Sequence, residues 1–291
     1  MNRKQKDFVV KMLKFLPDKL YLKLRFRFEM KQKLDLKNPK TYNEKLQWLK
    51  INDRNPLYTT LVDKYAVKDY VANVIGKEHV IETYGVWDKF DDIDFNSLPN
   101  QFVLKATAGG GSNSVYICKD KNTFDFARAK KGLERANKQN MFYNGREWPY
   151  KNVPRKIIAE KFMTNGDKGL VDYKFFCFNG EMKFLYVSQG LDNHDTAEIS
   201  FFDLDGNELY FSRSDYKRIK NLELPNNWEE VKKTAEKLCK HLSVPFVRID
   251  VYSIENQVYF SEITFYPCSG FLPFEPKSAD LELGNMIKFN K

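Results

Sequence analysis

Nine short runs rich in β-branched and aromatic residues succeed one another from residue 79 to residue 265, separated by polar turn residues. The runs are HVIETYGVW, QFVLKAT, SVYICKD, KIIAEKFM, YKFFCFNG, EMKFLYVSQG, EISFFDLDGNELYFS, FVRIDVY and QVYFSEITF. Hairpin signals join several of them, as at Asn179-Gly180 and Asp205-Gly206. Strands connected by such short turns pair antiparallel, so antiparallel sheets are expected to dominate the fold.

Helical periodicity precedes these runs and interrupts them once. From Tyr42 to Val71 apolar residues recur at helical spacing, with a break at NDRNP, and NWEEVKKTAEKLCKHL predicts one long helix that Pro245 prevents from continuing. Residues 5–16 predict a short helix that Pro17 ends, whereas residues 20–30 alternate with a period near two and leave helix and strand open. Together the elements predict an α+β chain of two lobes.

We divide the chain into three predicted segments. Residues 1–55 form a basic N-terminal arm with helices, residues 56–165 an N-terminal lobe, and residues 166–291 a C-terminal lobe. The seam between the lobes is placed near KNVPRKIIAEKFMTNGDKG, where a hinge-like strand precedes a glycine-rich turn.

The positive charge is concentrated at the N-terminal end. The sequence contains 48 basic and 39 acidic residues. Residues 1–50 hold 15 of the basic and 5 of the acidic residues, so the rest of the chain has 33 basic and 34 acidic residues. No zinc-finger, helix-turn-helix or RNP-like motif accompanies this charge, so nucleic acid is not expected as a partner. The interleaved apolar residues favour an anionic membrane surface or an acidic polymer, with a merely solvated basic face as the alternative: Phe15, Leu16, Leu20, Tyr21, Leu22 and Leu24.

Cysteine and histidine usage points to a reduced interior. The four cysteines contain no CxxC pair and the three histidines are dispersed, which argues against a zinc site. The apolar stretch FVVKMLKFL is short and interrupted by lysines, so it fits neither a signal peptide nor a membrane span. We therefore expect a cytoplasmic protein, with peripheral contact at the inner face of the membrane as a hypothesis.

The stretch FVLKATAGGGSNSV ends an apolar strand in Lys105 and then runs through Gly109, Gly110 and Gly111. Glycines let backbone N–H groups approach an anion closely, and a strand-terminal lysine adds a mobile positive charge. The pattern indicates a flap over a polyphosphate, and a glycine-rich hairpin without function is the alternative. It is neither a Walker loop nor a dinucleotide fingerprint.

A second constellation lies in FVRIDVYSIENQVYFSEITF. A hairpin turn near Glu255 or Asn256 would put Arg248 and Asp250 on one face of one strand, with Glu262 and Thr264 on the same face of its partner. Two converging carboxylates suit Mg²⁺ held jointly with substrate phosphates, and Arg248 would hold a neighbouring anion. The alternative is a charged outer face of a half-exposed sheet.

In order and approximate spacing these pieces resemble the ATP-grasp superfamily, and several stretches resemble its teichuronopeptide-biosynthesis (TupA-like) family more closely. The closer stretches are NPKTYNEKLQWLKINDRNPLYTTLVDKY, YGVWD, LPNQFVLK, REWPYKN, DYKFFCFNGE and FSEITFYPCSGFLPF. The resemblance implies a carboxylate–amine ligase using ATP and Mg²⁺, in which ATP phosphorylates a carboxylate and an amine then displaces phosphate. It implies no covalent enzyme nucleophile.

The resemblance also implies roles for individual residues. Lys105 and Arg248 are the catalytic candidates, and Arg248 would steady the acyl phosphate. Mg²⁺ would be held by Asp250, Glu262 and Thr264, the last standing where the superfamily often has Asn. The nucleotide would contact phosphate lysines, the flap and the hinge strand IIAEKFM, which is otherwise plain core: Lys64, Lys105, Gly109, Gly110, Gly111, Ser112, Glu160, Lys161, Phe162 and Lys174.

The family implies an amino acid or amine joined to a uronic-acid or other carboxylate of a bacterial cell-surface polysaccharide. Acceptor contacts are predicted in REWPYK, in DYKFF and after the last strand, with solvated loop or capping residues as the alternative: Arg146, Glu147, Tyr150, Lys174, Ser269 and Gly270. Other readings stay open: a glycan phosphotransferase on the same fold, a non-catalytic glycan- or membrane-binding protein, or a glycosyltransferase using Asp203 and Asp205.

Overall fold

A computed structural model of the chain describes residues 13–110, 114–166, 169–190 and 197–289. Eight α-helices and eleven strands are described in these ranges. The helices are α1 Asp18–Met30, α2 Tyr42–Asn52, α3 Leu57–Val62, α4 Ala66–Ile75, α5 Phe126–Lys138, α6 Phe142–Gly145, α7 Trp228–Leu242 and α8 Ser278–Met286. The strands are β1 Thr83–Trp87, β2 Phe102–Ala106, β3 Val115–Cys118, β4 Ile157–Lys161, β5 Asp172–Phe178, β6 Glu181–Gln189, β7 Glu198–Phe202, β8 Ser212–Arg213, β9 Phe246–Ile254, β10 Gln257–Thr264 and β11 Phe274–Glu275.

The strands form two main antiparallel sheets and one small one. A four-stranded sheet has the order β1-β4-β2-β3, a five-stranded sheet has the order β10-β9-β5-β6-β7, and β11 pairs with β8. The predicted α+β class with antiparallel sheets is confirmed. None of the helices in the described ranges combines the length and the apolar character needed to cross a membrane.

The two main sheets have separate cores. The four-stranded sheet packs Phe102, Leu104 and Ile157 against Ala129 and Leu133 of α5. The five-stranded sheet packs on α7 and also on α2, α3 and α4, whose apolar residues belong to its core. The predicted segment limits after residues 55 and 165 stay a prediction.

Local signals explain where the best-predicted elements begin and end. Thr41 caps α2 in a capping box, in which the Thr41 side chain accepts from the Glu44 backbone and Glu44 accepts from the Thr41 backbone. Helix α7 carries Glu229 and Glu230 in its first turn, where the helix dipole favours acids. The hairpin β9–β10 turns at Glu255 and Asn256, both with positive φ, as a two-residue hairpin turn requires.

Some parts of the chain were left open by the sequence, were not predicted, or lie outside the described residues. Residues 20–30, left open between helix and strand, lie in helix α1, which buries Tyr21, Leu22 and Phe26. Helices α5 and α8 were not predicted, although Asp125 caps α5 and Ala129 and Leu133 line its buried side. Most of the predicted helix over 5–16 lies outside the described residues, as do Gly111 and Ser112 of the flap.

Candidate active site

A cleft of about 210 Å³ lies between the two main sheets. The side of the cleft next to the four-stranded sheet is polar and mostly basic. The side formed by β9 and β10 carries polar and aromatic residues. It is lined by Lys64, Lys68, Val80, Ile81, Lys105, Val115, Glu160, Tyr252, Phe260, Ser261 and Glu262. Four of the predicted residues, Lys64, Lys105, Glu160 and Glu262, are thereby brought together.

Glu160 organises the basic side of this cleft. It is buried on β4, and its carboxylate lies 2.5 Å from the Lys105 ammonium and 2.6 Å from that of Lys68. Burial alone would raise the pKa of Glu160, but Lys105 and Lys68 outweigh it and hold that pKa below its ordinary value. Two lysines are therefore fixed side by side, with a positive charge in excess of the one carboxylate.

Lys68 was missed by the sequence reading. Lys64 lies in the turn just before α4 and Lys68 lies in the first turn of α4, and both side chains line the same cleft. The Lys68 ammonium also donates to the carbonyl of Ile81 at 2.5 Å. The i, i+4 spacing in VDKYAVKDYV was the available signal.

The glycine loop lies against Lys64. The Lys64 ammonium donates to the carbonyl of Gly109 at 2.7 Å. A Cβ added at Gly109 would lie 2.4 Å from the Cβ of Ser114, so the two arms of the loop approach too closely for any larger residue. Gly109 and Gly110 line a second cavity of about 80 Å³ with Tyr116 and Met141.

The hairpin β9–β10 brings the four predicted residues to one face, with a bulge between Phe260 and Glu262 that was not predicted. Glu262 pairs with Asp250 and Thr264 pairs with Arg248, so the four side chains share one face. The two carboxylates have different surroundings. Asp250 is fully buried, whereas Glu262 is half-buried, lines the cleft, and receives no hydrogen bond or ion pair from a described residue.

Asp250 is held by two cations in a buried network. Arg248 donates to both of its oxygens, at 2.7 and 2.6 Å, and the Lys174 ammonium lies 3.1 Å from it. Burial would raise the pKa of Asp250, but Arg248 and Lys174 hold it below its ordinary value. Arg248 also donates to Thr264 and to the Tyr186 hydroxyl, both at 3.0 Å.

Lys174 completes this network by bridging two carboxylates. It lies 3.0 Å from Asp172 as well as 3.1 Å from Asp250. Two cations and two carboxylates thus balance one another in a buried network. Lys174 belongs to this network and is not among the residues that line the cleft. The second oxygen of Asp172 has no partner among the described residues.

The residues present fit a triphosphate better than they fit a metal ion. Three lysines face one cleft beside a glycine loop, which is the donor set that phosphate oxygens require. Among the described residues, no group of three His, Cys, Asp or Glu is arranged to hold a metal. Of the three predicted ligands, only Glu262 presents a carboxylate to the cleft, and Asp250 and Thr264 are engaged with Arg248.

The other predicted contacts are dispersed. Lys161 is exposed and Phe162 half-buried after Glu160, and neither is among the residues lining the cleft. Arg146 is buried, and one of its nitrogens donates to the carbonyls of Leu13, Lys14 and Leu16, which indicates a structural role. Asp203 accepts from the backbone of Asp205 and Asn207, as in a simple turn.

A polar cluster adjoins the cleft at the predicted acceptor segment. The buried Lys50 ammonium donates to the carbonyls of Gly145 and Ser269, each at 2.8 Å. Burial, only partly opposed by Glu147, lowers the pKa of Lys50 to about 7. Glu147 interacts electrostatically with Glu262, so this cluster and the cleft belong to one polar region.

Comparisons with known proteins agree with this architecture. The TupA-like ATP-grasp family model matches residues 44–288, so the chain belongs to that family. D-Alanine-D-alanine ligase from Helicobacter pylori has the same fold, with a TM-score of 0.50, 20% identity, and coverage of 78% of this chain and 61% of that chain. The prediction of an ATP-grasp fold of the TupA-like type is confirmed.

Two further solved structures are more distant. D-Alanine-D-alanine ligase from Bacillus anthracis has a TM-score of 0.42 and 18% identity over 70% of this chain and 57% of that chain. N5-carboxyaminoimidazole ribonucleotide synthetase has a TM-score of 0.45 and 14% identity over 76% of this chain and 50% of that chain. The chain thus spans about half to three fifths of these enzymes. A search of curated sequences finds no significant match.

Proposed function

We propose that this protein is an ATP-dependent carboxylate–amine ligase. The observation that carries the proposal is the cleft in which Lys64, Lys68 and Lys105 face Glu262 across the two sheets of an ATP-grasp fold. The three cations offset part of the negative charge of a triphosphate, and Glu160 holds two of them in place before the nucleotide arrives. The half-buried Glu262 is the residue that would hold Mg²⁺, and the ion would supply positive charge to offset that of the phosphates.

The reaction that membership of the ATP-grasp family implies has two steps. A substrate carboxylate oxygen attacks the terminal phosphorus of ATP, the bond to ADP breaks, and an acyl phosphate forms. The lone pair of an amine then attacks the acyl carbon, phosphate leaves, and the ammonium proton is lost to give an amide. Charge neutralisation and in-line positioning are the work of the protein in both steps.

Arg248 has a defined place in this proposal. Its guanidinium is fixed by Asp250 and Thr264 on the sheet face that continues to Glu262. Arg248 is nearly buried and is not among the residues that line the cleft, so its proposed role is to stabilise the acyl phosphate through the electrostatic field of a preorganised cation, without direct contact. Lys174 then acts as a positioning residue, because it reaches Asp250 and Asp172.

The acid substrate is proposed to be a uronic-acid or other carboxylate of a bacterial cell-surface polysaccharide, and the amine an amino acid or simple amine. The resemblance to the teichuronopeptide-biosynthesis family supports this choice. The Lys50–Glu147–Ser269 cluster beside the cleft supplies polar groups of both signs for the two substrates.

The test is an ADP-release assay on the full chain with Mg-ATP, a panel of amino acids and amines, and uronic-acid glycosides. A ligase releases ADP and phosphate only when acid and amine are both present, and the product mass equals their sum less one water. ADP release with glycoside alone, together with a phosphorylated sugar, would instead identify the phosphotransferase alternative. Binding of glycan without nucleotide turnover would identify a binding protein.

A further inference from the structure

Helix α1 presents an unusual outward face. Leu20, Leu24 and Phe28 are 45%, 50% and 66% exposed, and they follow one another at a spacing of four residues. Residues at that spacing lie along one side of a helix, so the three side chains form a continuous apolar stripe on the surface. Phe15, just before the helix, is 82% exposed.

A basic stripe runs beside the apolar one. Lys19, Lys23 and Arg27 are exposed at the same four-residue spacing and each precedes one apolar residue of the first stripe. The two acids of the helix are engaged elsewhere. Asp18 lies 3.2 Å from Arg54 and 3.3 Å from Arg146, and Glu29 lies 3.6 Å from Arg25. The two stripes therefore combine exposed apolar groups with uncompensated positive charge.

The helix is a fixed part of the protein. Its opposite side buries Tyr21, Leu22 and Phe26, and the Tyr21 hydroxyl donates to the carbonyl of Asn144 at 2.9 Å. The Arg146 guanidinium lies 4.3 Å from the centre of the Tyr21 ring. Because α1 is attached to the segment that leads into Glu147, a surface bound by α1 would be held at a fixed relation to the active site.

We propose that this face of α1 docks the protein on the surface of a membrane that contains anionic lipids. The basic stripe matches negatively charged headgroups, and the adjoining apolar stripe matches the boundary between headgroups and acyl chains. An acidic glycan or an acidic protein would satisfy the charge but leaves an apolar stripe on a convex helix without a matching medium. The enzyme is accordingly placed at the surface of such a membrane, a proposal that does not depend on the ligase reaction.

The experiment is co-sedimentation of the full chain with vesicles of phosphatidylcholine, with and without phosphatidylglycerol. Wild type is expected to bind only the vesicles that contain the anionic lipid, and added salt is expected to weaken binding. The variant Lys19→Gln/Lys23→Gln/Arg27→Gln should lose about a hundredfold in partition coefficient, since each basic residue near an anionic surface contributes about fivefold. Leu20→Ser/Leu24→Ser/Phe28→Ser should also bind less, although its charge is unchanged.

A matched control separates position from total charge. Lys233, Lys237 and Lys240 are exposed on helix α7, and replacing all three by Gln removes the same charge from a different surface. This control should bind like wild type, and all variants should keep the wild-type melting temperature. Equal loss in the control would overturn the proposal. So would equal binding to both kinds of vesicle, or concentration-dependent self-association that the serine variant abolishes.

Discussion

The basic wall of the cleft and the buried network on the five-stranded sheet carry charge in opposite ways. On the basic wall, the side chains of Lys105 from β2 and Lys68 from α4 are 25% and 11% exposed, and both share the single carboxylate of Glu160. In the buried network, Asp250 is fully buried and Arg248 and Lys174 are nearly so, with Asp172 balancing the set. The basic wall has positive charge left for a ligand, and the buried network has almost none.

This difference in burial predicts that the charges on the basic wall serve ligand binding, whereas those in the buried network serve stability. Charges that remain partly solvated can exchange a protein partner for a phosphate at low cost, whereas a buried and balanced network loses several kcal/mol when one member is removed. Asp250 and Glu262 make the contrast sharpest, because they are register partners on adjacent strands yet differ in burial and in partners.

The largest effect is expected for Asp250→Asn. The change leaves Arg248 and Lys174 buried with one carboxylate between them, so the free energy of unfolding should fall by about 3–5 kcal/mol. Urea denaturation measures it. The matched control is Asp203→Asn. The Asp203 carboxylate also accepts several hydrogen bonds but faces no buried cation, so the free energy of unfolding should fall there by about 1 kcal/mol. Equal losses at both positions would contradict a special role for the buried network.

Glu262→Gln should show the opposite behaviour. Since no described residue pairs with Glu262, the free energy of unfolding should change by less than about 0.5 kcal/mol. Turnover in the ADP-release assay should fall roughly a hundredfold, because the accessible carboxylate beside the lysines is lost, while ATP binding persists in part. Turnover at the wild-type rate would remove Glu262 from the chemistry.

Lys105→Met tests the basic wall. A charged hydrogen bond contributes about 1.5–3 kcal/mol, so the dissociation constant for ATP should rise about tenfold to a hundredfold. Calorimetric titration with ATP measures it. Lys130→Met is the control, since Lys130 pairs with Asp91 on the surface of the same lobe and lies outside the cleft. If both variants bind ATP like wild type, Lys105 does not contact the nucleotide.

The local parts of this architecture could be predicted from the sequence. A two-residue turn and a side-chain period of two would pair Asp250 with Ser261, and the bulge between Phe260 and Glu262 shifts the register by one residue so that Glu262 lies opposite Asp250. The shared face of these residues was predicted from residues 246–264, but the bulge that produces it was not. The glycine loop and Lys105 were found because their pattern is contiguous. The family resemblance supplied the order of these pieces.

What could not be predicted depends on contacts distant in sequence. Lys174 reaches Asp250 because β5 pairs with β9, which brings together residues 76 positions apart, and no local pattern encodes that pairing. Helix α1 was ambiguous because its alternating letters suit a strand as well, and its contacts with Asn144 and Phe271 help to select the helix. The sharing of Glu160 by two lysines likewise arises only when α4 and the four-stranded sheet meet.

The smallest effect, and the most specific to the basic wall, is the pH dependence of Glu160. Lys105 and Lys68 hold the pKa of Glu160 below its ordinary value of 4.5 despite burial. The ionised carboxylate therefore stabilises the fold fully above pH 4.5, and this contribution is lost as the pH falls through the lower folded-state pKa. The difference in unfolding free energy between wild type and Glu160→Gln should consequently be largest near neutral pH and shrink in acid.

Lys68→Met should weaken the same acid dependence, because it removes one of the two cations. A difference that stays constant from neutral to acidic pH would show that Glu160 is not held ionised by these lysines, and the basic wall would lose the feature that distinguishes it from the network around Asp250.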